Sequence, residues 1–298
     1  MIEPGVFLVH KQVGESSFDV VRRFKHEVYE AQQKKWALGH GGTLDPFAEG
    51  LLLVLSGQAT RLMELMHPLP KSYEAKVRWG IETDTCDHLG LSVMEGDAMT
   101  LTPAALDAAL ASHLGWKDQI PPATCAKKID GESAYKKAHR GEEVILPPSR
   151  VYLHEAAWLD HDLPTSSTLR ITCRGGFYVR SLARDLGRQL GCGAHLERLS
   201  RTAIGPWANP GPGDQLLVQG EALIPWCPRR ELLEDEAEHL QHGRPIVIGQ
   251  VLPADWLLPE GFPVPSLPVR GLFGGKLLAL LEEREGKLWT AANLRGGI

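Results

Sequence analysis

The run Gly39-His40-Gly41-Gly42-Thr43-Leu44-Asp45-Pro46 is the stretch on which the reading of the chain turns. Three glycines in four positions open backbone conformations closed to other residues, and they let a ligand approach the main chain. Asp45 follows at once, and Pro46 pushes it toward an extended conformation. Two readings fit these residues alone. Asp45 either accepts backbone hydrogen bonds in a tight turn or presents its carboxylate to something cradled by the glycines.

Upstream, residues 7–10 read as a short strand, and Ser16 or Ser17 caps a helix whose Phe18, Val21, Phe24 and Val28 recur at helical spacing. Downstream, 50–55 and 72–79 read as strands, the second alternating Tyr73, Ala75, Val77 and Trp79 on one face. Pro103 suits the first turn of a helix through Leu106, Leu110 and Leu114. Residues 169–173 form another alternating strand, followed by Gly175-Gly176 and a helix carrying Val179, Leu182, Ala183 and Leu186. Strands and helices mixed without a βαβ rhythm predict an α+β fold, with a mixed, mostly antiparallel central sheet flanked by helices. Residues 209–213 and 225–228 break the pattern. Beyond them come an acidic helix and short apolar strands at 245–252, 269–272, 276–282 and 289–292. The expected division is a catalytic domain at 1–228 and a small β-rich domain at 229–298.

Composition bounds the function. The 298 residues are 43% hydrophobic and 23% charged, as in ordinary globular proteins. No apolar run approaches the roughly 20 residues of a membrane span, and Met1-Ile2-Glu3-Pro4-Gly5 does not resemble a secretion signal. Five scattered cysteines without a Cys-x-x-Cys pair argue against a disulfide framework and a zinc site. A cytoplasmic location is expected. The net charge is −5, but the charge is segregated. From Arg170 to Arg201 seven arginines face only Asp185 and Glu197, an excess of five. That segment is either a solvated face or the expected anion-binding one.

A second chemical feature lies inside it, Arg174-Gly175-Gly176-Phe177-Tyr178-Val179-Arg180. Tyr178 and Arg180 can stack on a base and pair with a carboxylate, or they can be core and surface residues of no special role. Lys127, Lys128, Lys136, Lys137 and Arg140 read as a solvated helix face or a phosphate track, and Tyr135 among them favours the track. Asp84 and Asp87 suit a turn better than a metal site beside Asp45.

Together these motifs resemble the TruB family of pseudouridine synthases. The family pattern Gly-His-x-Gly-Thr-Leu-Asp-Pro-Leu-Ala-x-Gly matches Gly39 to Gly50, with Phe47 for the usual Leu and Gly41 for the usual Thr. Lys71-Ser72-Tyr73, Thr83-Asp84-Thr85, Gln119-Ile120-Pro121-Pro122, Lys128, Tyr135, Gly176, Tyr178, Arg180, Leu199 and Arg201 continue in register. The chain departs from the pattern at Gln12, Thr124-Cys125 and Gly175. The resemblance covers about residues 5–207, and the tail is weakly similar to PUA-type RNA-binding domains.

The resemblance implies isomerisation of the uridine at position 55, in the T loop of tRNA, to pseudouridine by base flipping. It implies no cofactor and binding to the tRNA T stem-loop; no metal, membrane or required protein partner is expected, and a monomer is the default. By that analogy Asp45 is the nucleophile, Tyr73 stacks on the target base, and Arg180 keeps the carboxylate ionised. His40 would fill the space left by the flipped base, Tyr178 and Leu199 would close the pocket, and Gly42 and Lys128 would contact substrate. Deletion beyond residue 228 would weaken RNA binding and leave slow catalysis.

Overall fold

Ser16 opens the first helix because its hydroxyl accepts from the Asp19 amide while the Asp19 carboxylate accepts from the Ser16 amide, a reciprocal cap. The helix runs Ser17–Gln32 and buries Ser17, Val20, Val21, Phe24 and Val28. Phe18, expected on that face, is exposed. At about 100° per residue it stands roughly 110° from the centre of the buried stripe, whereas Val20 stands roughly 50° from it.

These elements come from a computed structural model describing residues 3–33, 35–125, 127–129, 131–134, 137, 140, 142 and 144–298, with the side chains of 32, 128, 129 and 133 outside the description. The chain forms two compact units. The first comprises Met1–Pro46, Gly50–Leu69 and Ile204–Ile298; the second comprises Phe47–Glu49 and Pro70–Ala203.

In the first unit the strand Gly5–Lys11 lies antiparallel between Glu49–Ser56 and Gln215–Val218. Leu38–His40 adds a short antiparallel partner to Glu49–Ser56, so part of the expected glycine loop is strand. A second sheet runs in the order Arg229–Glu231, Val269–Phe273, Lys276–Arg284, Lys287–Asn293, Ile246–Val247, with only the first pair parallel. The acidic helix is Glu234–Gln241. The strand expected at 245–252 shrinks to Ile246–Val247.

In the second unit the sheet order is Ala194–Ile204, Lys71–Trp79, Ser166–Cys173, Ser149–Asp162, Gly115–Gln119. From Lys71–Trp79 onward each neighbouring pair is antiparallel. Lys71–Trp79 alternates strictly between buried and half-buried residues, as its sequence predicts. Helix Pro103–Ala111 has Thr102 as its cap, and Leu114 falls beyond its end, exposed. Helix Val179–Gln189 follows Ser166–Cys173. The chain therefore has the expected mixed α+β architecture with a mostly antiparallel central sheet.

The compact units are not divided at 228/229. One apolar cluster joins Val6, Leu8, Leu53 and Leu55 of the first strands to Leu272, Leu277, Leu280 and Leu294 of the tail. Burying each such side chain is worth about 1.5–3 kcal/mol, and removing the tail returns its partners to water. This revises the outcome expected of a deletion. A chain ending at Pro228 should aggregate or lose its cooperative thermal transition; a sharp transition within a few degrees of the intact chain would show that the first strands hold their own core.

Candidate active site

Asp45 is half-buried in the first unit, in an irregular stretch between Leu38–His40 and Glu49–Ser56. His40 is half-buried opposite Val54 at the end of its strand. The Gly41 amide donates to the Leu53 carbonyl at 2.9 Å. A Cβ on Gly41 would stand 3.2 Å from Leu53 side-chain atoms and 3.3 Å from Met66 Cβ, so the residue is small for packing. Gly42, with φ +131°, adopts a conformation that side chains disfavour.

The residues flanking Asp45 are tied down on both sides. The Ser17 hydroxyl accepts from the Leu44 amide at 2.8 Å and donates to the Leu44 carbonyl at 3.1 Å. The Pro46 carbonyl accepts from the Gly14 amide at 2.8 Å and from the Lys11 ammonium at 3.5 Å. Lys11, fully buried, also donates to the carbonyls of Gln12 and Glu15, each at 2.8 Å. These bonds fix the backbone on either side of Asp45. Ser16 caps the helix, and that leaves the Ser17 hydroxyl for Leu44. Ser17→Ala should leave two buried backbone groups unsatisfied, at about 1–3 kcal/mol. Calorimetry should show a melting temperature several degrees lower; an unchanged one would mean that water replaces the hydroxyl.

In the second unit the sheet brings Tyr73 and Leu199 onto neighbouring strands. Both are buried. Tyr178 stands at the cap of helix Val179–Gln189, half-buried against the cluster of Cys125, Ala134 and Leu146. Its backbone is clamped by Gln119, which accepts from the Tyr178 amide at 2.9 Å and donates to its carbonyl at 3.1 Å. Arg180, in the first turn, is 3% exposed. One terminal nitrogen donates to the Thr85 carbonyl, the Thr124 hydroxyl and the Asp87 carboxylate at 2.9, 2.8 and 3.3 Å. The other donates to the Thr124 carbonyl at 2.8 Å.

Sequence reasoning did not find this support. Asp87 and Thr124 carry no local signal for an arginine some 56 or more positions away. Asp87 also accepts from Thr85 and the Leu89 amide, while Asp84 accepts from the Leu91 amide. Asp84 is a turn residue, and Asp87, buried, follows that turn in an isolated bridge to Leu196. Among the described residues no group of three or more His, Cys, Asp or Glu is arranged to hold a metal.

Five of the seven arginines in the arginine-rich segment are buried or paired, while Arg174 is half-buried and Arg198 exposed. Arg180, Arg184 and Arg201 are buried. Arg170 pairs with Glu74 and Arg188 with Glu82. A linear count of charge misses this, because alternation and helical spacing send these five arginines inward or onto acidic partners. The expected phosphate track is reduced likewise. Arg140 is held by Glu132 and Glu142, and Lys127 donates to the Ser149 hydroxyl. The Lys128 side chain, Tyr135 and Lys136 lie outside the described residues.

Lys71 is buried near Arg201, Cys173 and Arg174. Burial first, then the arginines, brings its ammonium down to about 7. Burial pushes the Cys173 and Cys227 thiols up to about 12. Folded Lys71 thus loses its proton near 7, and unfolded Lys71 near 10.5, so unfolding takes up a proton between those values. Stability therefore rises with pH across that window, by at most about 1.4 kcal/mol per unit. Above about 9 the thiols oppose it, because the folded chain keeps protons that the unfolded chain releases. Relative to Lys71→Met, the wild type should gain about 2 kcal/mol between pH 7 and 9 in urea unfolding. A constant difference would mean that Lys71 stays charged.

Residues 28–179 match the model of the TruB family pseudouridylate synthase N-terminal domain, and residues 180–239 match the tRNA pseudouridylate synthase B C-terminal domain. The tRNA pseudouridine synthase B of Ralstonia nicotianae is 36% identical over 300 residues, covering 95% of this chain and 92% of that protein. Its counterpart in Thermobifida fusca is 35% identical over 297 residues, covering 95% of each. Among solved structures, a chain of a Cbf5–Nop10–Gar1 complex aligns with a TM-score of 0.68 at 19% identity, covering 97% of this chain and 84% of that one. This last likeness is one of fold. The family model spans just over half of the sequence, and the relatives extend the likeness along nearly all of it: the chain belongs to the TruB family of pseudouridylate synthases.

Proposed function

We propose that the chain isomerises the uridine at position 55, in the T loop of tRNA, with Asp45 as the nucleophile. The observation that carries this reading is the anchored backbone on both sides of the half-buried Asp45, which suits a positioned nucleophile. The names of the relatives, tRNA pseudouridine synthase B, support tRNA as the substrate.

Uridine and pseudouridine are isomers, so the reaction consumes no redox equivalent and no second substrate. The target nucleotide flips out of its loop, at a cost of about a few kcal/mol, and His40 fills the space it leaves. The Asp45 carboxylate adds at C6 of the uracil or at C1′ of the ribose, and the N1–C1′ bond breaks. The base turns, C5 bonds to C1′, the carboxylate departs, and the C5 proton is lost as N1 gains one. A carboxylate suits the role because it can form the adduct and leave it again. Tyr73 stacks on the uracil, Arg180 favours the ionised form of Asp45, and Tyr178 and Leu199 close around the ring. Gly42 and Lys128 contact the RNA. Residues 229–298 serve as a PUA-like RNA-binding module, and the protein works as a cytoplasmic monomer without a protein partner or cofactor.

Arg180→Ala is a poor probe, because it removes the hydrogen bonds to Thr85, Thr124 and Asp87 and leaves Asp87 buried without this cation, at about 3–5 kcal/mol. Asp45→Asn is the clean one. With unmodified tRNA transcript and a chemical assay for pseudouridine, it should abolish turnover while tRNA binding persists. Normal turnover in Asp45→Asn would sink the assignment, and an intact wild-type chain that binds tRNA without converting it would sink the proposed activity.

A further inference from the structure

The first helix carries a stripe that its core does not use. Phe18, Arg22, Lys25 and Tyr29 fall within about 60° of one another around the axis, on the flank between the buried face and the acidic residues. Phe18 and Tyr29 are more than half exposed. The Arg22 guanidinium and the Lys25 ammonium lie 5.0 and 5.8 Å from the centroid of the Phe18 ring. At the far end the helix closes with Gln33 in the left-handed conformation, φ 52°, its amide bonded to the Tyr29 carbonyl. That turn brings Lys35 and Trp36 back beside the helix. The result is a cavity of about 340 Å³ lined by Lys25, Tyr29, Lys35 and Trp36.

One wall of the cavity is rigid. The Trp36 indole donates to the Ser56 hydroxyl at 2.7 Å, and its ring abuts Gly57 so closely that a Cβ there would stand 3.1 Å away. Lys25 and Lys35 form no ion pair among the described residues. Two aromatic rings beside two available cations suit a nucleotide, with its base against a ring and its phosphate on the ammonium groups. The position separates this pocket from the reacting centre. Ser17 touches Leu44, and Tyr29 lies twelve residues further on, about 18 Å along the helix axis.

We propose that the cavity lined by Lys25, Tyr29, Lys35 and Trp36 is a second RNA site, which takes an unpaired nucleotide of the substrate RNA other than the one that reacts. The proposal rests on the reading of tRNA as substrate. It also gives an acidic chain, whose arginine-rich segment is largely buried or paired, a cationic place to hold RNA.

Binding of unmodified tRNA transcript, followed by fluorescence anisotropy across a salt series, decides it. The double variant Lys25→Gln/Lys35→Gln should raise Kd about tenfold at physiological salt. It should also lower the slope of log Kd against log salt by about 1–2, since each phosphate contact contributes roughly 0.7–0.9. Tyr29→Ala should raise Kd several-fold with the slope unchanged, because stacking releases no counterions. Lys117→Gln, an exposed charge on another element, should do neither. Equal melting temperatures establish that all variants are folded. Wild-type Kd and slope in both site variants, or an equal loss in Lys117→Gln, would overturn the second site. The proposed activity is judged separately: pseudouridine formed normally by a wild type whose site variants bind normally removes only this pocket. A wild type that binds tRNA without converting it removes only the activity, and the variants still decide the pocket. A wild type that binds no tRNA overturns both.

Discussion

A hydroxyl group on the first helix fixes the backbone that leads into Asp45. Ser17 exchanges two hydrogen bonds with Leu44, one in each direction, and by doing so makes the loop before Asp45 an extension of the helix. On the other side, Lys11 and Gly14 hold the Pro46 carbonyl. Without these bonds the loop that carries Asp45 would sample many conformations, and fixing one of them costs entropy on folding. The glycines contribute by what they lack. Gly41 is small because Leu53 and Met66 press against it, and Gly42 turns where a side chain would resist.

The second unit solves a different problem, that of burying cations. Arg180 is sealed from water, and so are Arg201 and Lys71. A buried guanidinium is tolerated only when its donors find acceptors. Arg180 meets that condition with two carbonyls, a hydroxyl and a carboxylate drawn from Thr85, Asp87 and Thr124. The same strapping holds the start of its helix, where Gln119 clamps the Tyr178 backbone and the Ile120 carbonyl accepts from Ser181 and Arg184. Lys71 lies in an environment that weakens its charge instead.

What could be read from the sequence was what local physics writes there. Lys71–Trp79 alternates because one face is buried, and the first helix announces its cap through Ser16 and Asp19. The order of motifs around Asp45, Tyr73 and Arg180 identified the family that the matches then showed. Illegible features share a cause. The fourteen-residue strand Ser149–Asp162 was not expected, because two register shifts break the period-two pattern and few of its side chains are buried. Arg180's partners are set by topology, not by neighbours in sequence. Phe18 looked like core because it sits near the edge of an apolar stripe, and only the packing shows on which side of that edge it falls.

The apolar cluster that joins Val6 and Leu8 to Leu280 and Leu294 has a consequence for how the protein comes into being. The strand made first must wait for partners encoded nearly the whole chain later. At ordinary synthesis speeds of about 5–20 residues per second, that delay is on the order of 15–60 s. Throughout it the opening strands emerge from the ribosome with their apolar faces uncovered. Long-range pairing of this kind also slows the search once synthesis ends. The arrangement makes the nascent chain a natural client for holding chaperones, and it ties the completion of the Asp45 unit to the arrival of residues far from the chemistry.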